Sequence, residues 1–275
     1  MQVYAQTILQ LLQQLEKLGY PKDDQVYIYN AYKFAITRVV GRYRPSGKTT
    51  IAHMIGTASI LASLEATKEV ITAGLLHVLY CHGDFGNGRS GISSAKRQQA
   101  ITVLGTQAEE YIKRYTLLKW SWDEVELLKW CDRIPALDAI DRDVLLIRLA
   151  NELEDYLELG ILYCSNAESR QYGTKLAGEF IVELAYRLGY PALANQFMLV
   201  FRSTMESRVL TEFAQPGFGN NDFAIISPAY MLKPLPKIHQ ITTSISQELQ
   251  NILLKGKQSM QYFFSLIRQK CKQIV

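Results

Sequence analysis

The chain has 275 residues, 48% apolar and 20% charged, with 17 Gly and 8 Pro, a composition that excludes a disordered, collagen-like or low-complexity protein. Its formal net charge of +4 is mild, with bases interspersed among acids except near the C-terminus, so no nucleic-acid partner is expected. Only four His and four Cys are present, and any metal site must draw on those few imidazoles plus carboxylates.

Apolar residues recur at three and four spacing from the start, as in Ile8, Leu11, Leu12, Leu15 and Leu18, which predicts a helix with one face on a core. Gln, Glu and Lys interrupt those apolar positions, unlike a secretory leader, and no apolar run reaches the roughly 18 residues of a membrane span. The first helix stops at Gly19 and Pro21. A second runs from near Asp24 to the turn Arg44-Pro45-Ser46-Gly47, a third from about Thr49 to Leu64 and a fourth from Lys68 to Tyr80. Four glycines between His82 and Ser93 mark a loop after it. Thr106 with Glu109, Ser121 with Glu124 and Ser165 with Glu168 have capping-box spacing and predict three helix starts. Further helices are expected over Asp138 to Glu158, Ser165 to Leu188 and Pro191 to Glu212. The pattern predicts an all-α fold, with a helical domain over residues 1–212, a Pro- and Gly-rich connector over 213–237 and a helical extension over 238–275. That extension carries five basic residues and no acid from Asn251 to Val275, and its helices offer a surface for self-association. The Cys residues show no paired spacing, which fits a reduced, cytoplasmic setting.

The order Arg44-Pro45-Ser46-Gly47-Lys48, His53, AGLLHVLY with His77, and LLIRLANELEDYLEL with Asn151 resembles the HD superfamily of metal-dependent phosphohydrolases, in particular the alarmone (guanosine tetraphosphate) hydrolase domain. The resemblance implies an all-helical bundle in which His53 and His77 are metal ligands. Val78 and Asn151 stand where that family has its two aspartates, and Cys81-His82 stands in place of a Glu-Asp pair. Losing two carboxylates removes two negative charges from the implied centre and argues against a manganese-type site and ordinary alarmone hydrolysis. A closer likeness is to an uncharacterised HD-related family with a His-x-x-Tyr pattern, matched by His53, Gly56, Thr57, His77, Tyr80 and Asn151. It implies a pocket without an assigned reaction.

These readings lead to a divergent HD-fold enzyme acting on a small polar or anionic molecule, or alternatively to a catalytically inactive binding or regulatory protein. The candidate catalytic residues are His53, His77, His82, Asp84 and Asn151. Arg44, Ser46, Lys48 and Tyr80 are candidates for ligand binding, since cations and free amides at a helix start suit an anion. The cofactor is either a divalent ion held by His53 and His77 or none.

Overall fold

The computed structural model describes residues 3–86 and 88–208 and the backbone of residues 223–224, and these belong to one compact unit, Met1–Ile225. The fold is all-α. Helices α1 (Ile8–Lys17), α2 (Lys22–Val39), α3 (Thr50–Ser63), α4 (Lys68–Leu75), α5 (Leu79–His82), α6 (Ser94–Leu117), α7 (Glu124–Arg133), α8 (Ala139–Tyr156), α9 (Ala167–Leu188) and α10 (Pro191–Glu206) follow in chain order. A two-residue ribbon pairs β1 (Arg42–Tyr43) antiparallel with β2 (Phe223–Ala224). Among the described residues no helix is long and apolar enough to cross a membrane. The expectations for most of the connector and for the C-terminal helices, with their self-association, lie outside the described residues.

Side-chain caps set most helix starts. Thr7, Thr49, Thr67, Ser93, Asp123 and Asp138 each accept a first-turn amide, offsetting one of the donors a helix leaves unpaired. Two expected caps move by a residue or two: Asp123, not Ser121, caps α7, and Ser121 Oγ accepts from the Asp123 amide at 3.1 Å. Asn166, not Ser165, precedes α9. Thr106 lies inside α6 just after a break at Gly105 (φ 75°), a left-handed conformation that favours glycine. The expected fourth helix divides into α4 and α5, and His77 occupies the break between them.

The core is organised around α3, where eleven residues are buried, among them His53, Thr57 and Ser59. A helix apolar nearly all round must be covered on every side, and α1, α2, α4 and α8 supply that cover. The α9–α10 hairpin, turned by Gly189 (φ 97°) with Pro191 opening α10, packs on α7 and α8.

Candidate functional site

Two glycines allow three helices to approach closely. A Cβ on Gly56 of α3 would lie 2.6 Å from Glu154 Oε1 of α8, and one on Gly74 of α4 would lie 2.1 Å from Leu61 Cδ1 of α3. These approaches bring His53 of α3, His77 after α4 and Asn151 of α8 together. His53 Nε2 lies 3.2 Å from His77 Nε2 and 2.9 Å from Asn151 Oδ1. His53, His77 and Asn151 are all buried.

The outer ring nitrogens fix the tautomers. His77 Nδ1–H donates to the Gly74 carbonyl at 2.7 Å, and His53 Nδ1–H donates to the Glu154 carboxylate. His77 Nε2 therefore presents a lone pair toward His53 Nε2, which also faces the Asn151 Oδ1 oxygen. Burial, reinforced by His53, holds the His77 imidazole well below its usual pKa, so it is neutral near pH 7.

This donor set tests the divalent ion that the HD resemblance implies. Neighbouring ligands around one ion bound at about 2.1 Å lie about 3.0–3.4 Å apart in octahedral or tetrahedral geometry, close to the separations found here. Two imidazoles and an amide suit a borderline ion such as zinc better than a hard one such as magnesium or manganese. Asn151 turns its oxygen toward His53 Nε2 at 2.9 Å, the orientation in which that oxygen would join an ion.

A second grouping, His53 with Glu154 and Asp155, places one ligand atom from each within 4.8 Å of the others, but cationic side chains already answer its carboxylates. Lys48 pairs with Glu154, and Arg44 Nη2 donates to both Asp155 oxygens at 2.7 Å. Burial alone would raise the Asp155 carboxyl, yet Arg44 and His53 outweigh it and hold the group far below the usual carboxylate range. The turn after β1 aims both cations: Arg44 N–H donates to the Lys48 carbonyl at 2.8 Å, and Gly47 adopts φ 85°.

Beside the histidines opens a cavity of about 470 Å³, within the range of small-molecule sites. His77, His82, Asn151 and Arg44 line it. His53 lies behind His77, in the core. Ser46 and Lys48 line a second, adjoining cavity of about 350 Å³, whose wall also includes Arg44 and Asp155. Asp84 lies elsewhere, exposed, its carboxylate accepting the Gly86 amide at 2.7 Å. Tyr80 is fully buried and donates to Glu109 at 2.7 Å, outside both cavity linings.

The residues that give the main cavity its character were not legible as a motif. Arg148 and Glu152 of α8 pair with each other, and Arg148 Nη1 donates to Tyr115 OH at 3.1 Å. The Tyr115 ring meets His77 edge to face at 5.2 Å. Arg170 of α9 and Trp122 complete the wall. Their one sequence signal was spacing: Arg148 and Glu152 fall one turn apart, and Glu152 directly follows Asn151.

A family model described as a domain of unknown function, DUF6817, matches residues 36–119, a stretch that contains His53 and His77 but ends before Asn151. No curated protein sequence matches the chain. A solved structure described as a metazoan ortholog of SpoT that hydrolyzes ppGpp and plays a role in starvation responses is similar over 67% of this chain and 97% of its own, at 16% identity and a TM-score of 0.45.

Proposed function

We propose that the chain is a divergent HD-like helical protein that admits a small anionic molecule to the main cavity and acts on it through His77 and Asn151, with His53 behind them. One observation carries this reading: the guanidinium groups of Arg44, Arg148 and Arg170, from three separate parts of the chain, line the same cavity as both site residues. Converging guanidiniums recognise phosphate or carboxylate oxygens through charge-assisted hydrogen bonds. His77, neutral and with its Nδ1 proton anchored on Gly74, offers its Nε2 lone pair as an acceptor or ligand. A divalent ion bound by His53, His77 and Asn151 would supply Lewis-acid polarisation of a ligand oxygen. Val78 and the ion pairs on Glu154 and Asp155 favour a second reading, a binding protein that retains the cavity without turnover.

Thermal unfolding of the full chain with inorganic phosphate and small carboxylates tests the anion site. Binding to the folded state raises the melting temperature, by about 2.7 kcal/mol of added stability at a hundredfold excess over Kd. Arg170→Ala should abolish that rise, and an unchanged rise in the variant would place the anion outside the cavity. Turnover of a phosphoester panel by the wild type that disappears in His77→Gln, with the anion shift retained, would decide for the enzyme over the binding protein.

A further inference from the structure

We infer that the ligand of the main cavity is a small aromatic anion, a flat ring bearing one carboxylate or phosphate group, with the ring stacked on Trp122. This rests on the anion reading above and adds the rest of the molecule. Three guanidiniums in the lining outnumber two carboxylates, Glu152 and Asp155, which leaves the cavity positive and suited to an anion.

Trp122 belongs to the segment between α6 and α7, yet its indole is held by three contacts from two other helices. Its Nε1–H donates to Glu152 Oε2 at 3.1 Å, one face stacks on Tyr156 with centroids 5.6 Å apart and planes 30° apart, and Phe201 of α10 meets it edge to face at 5.9 Å. The ring is nonetheless only half-buried and lines the cavity. A flat apolar surface fixed in advance costs a ligand little ordering entropy to use.

The opposite need, for space, is met by Gly173. It sits mid-helix in α9, where glycine costs about 1 kcal/mol relative to alanine. No close packing demands it, because an added Cβ would meet nothing within 4 Å. It lines the same cavity, and its missing side chain leaves room there.

The test uses the full chain, four probes and two variants, with affinity measured by titration calorimetry and the wild-type contact followed by NMR on the indole N–H signals. Phenyl phosphate should bind about five- to a hundredfold more tightly than inorganic phosphate or cyclohexyl phosphate, the gain that stacking on an aromatic side chain gives, and should shift the Trp122 signal. Trp122→Leu should erase that gain while phosphate still binds. Gly173→Leu should exclude phenyl phosphate, and this variant does not rest on the Trp122 anchor, since it replaces a helix-weakening residue and its Cβ meets nothing within 4 Å. Equal affinity for phenyl and cyclohexyl phosphate would overturn the stacked ring and leave the anion site standing. Phenol binding as tightly as phenyl phosphate, or no binding by either phosphate ester or by phosphate, would overturn the anion reading and this inference with it.

Discussion

Gly56 shows how one missing side chain can organise a centre. It gives Glu154 the space to reach His53, and Glu154 in turn fixes which imidazole nitrogen faces His77. Gly56→Ala should therefore destabilise the protein by about 1–3 kcal/mol through overpacking, read from urea denaturation. In a Glu154→Ala background the same substitution should cost much less, because the atoms it strikes are gone. Equal costs in the two backgrounds would show that Gly56 is needed for something other than Glu154. His53, His77 and Asn151 could be singled out in the sequence because their order and spacing resemble the HD pattern. Arg148, Arg170 and Trp122 could not, because a basic residue on a helix and an aromatic residue near a helix start read alike whether they face solvent or a cavity.

At the level of elements, breaks matter as much as helices. The periodicity continues from Lys68 to Tyr80, but the chain leaves the helix at Leu76, and His77 answers the Gly74 carbonyl with its own Nδ1. A side-chain bond of this kind is invisible to a pattern of apolar spacing. The join between α6 and α8 illustrates charge at the same scale. Arg114 bonds Glu110 at 3.1 Å, Asp138 at 2.9 Å and Asp141 at 2.8 Å. Burial pushes the Glu110 carboxyl up, but Lys113 and Arg114 outweigh it and leave it below its ordinary value of 4.5. Asp138 is likewise lowered, by the Asp141 amide and then Arg114. Depressed carboxyls mean that the unfolded chain takes up protons first, so their stabilisation is present above the ordinary carboxylate range and is lost as pH falls through and below it. Arg114→Met should flatten this acid limb, seen as a smaller drop in urea midpoint between pH 7 and about pH 3.5. An acid limb as steep as the wild type's would show that the cluster contributes nothing.

Across the whole molecule, α3 is the element about which the others are arranged, and its amides should exchange with deuterium more slowly than those of α9 and α10, whose hairpin packs at one side. Protection follows burial and local cooperativity, and faster exchange in α3 than in α10 would contradict its central place. The all-α architecture and most helix limits followed from sequence because periodicity is a local property, and His53, His77 and Asn151 were picked out by their resemblance to the HD pattern. The helix starts that shifted, at Asp123 and Asn166, were settled by which nearby polar side chain or backbone conformation served the first turn. What only the tertiary structure decided is the company those histidines keep. Arg44 and Asp155, 111 residues apart, meet because α3 and α8 pack closely, and Arg148, Arg170 and Trp122 share a cavity because α6, α8 and α9 converge. Such convergence depends on how apolar faces fit together in three dimensions, and the spacing of residues along one helix carries no record of its neighbours.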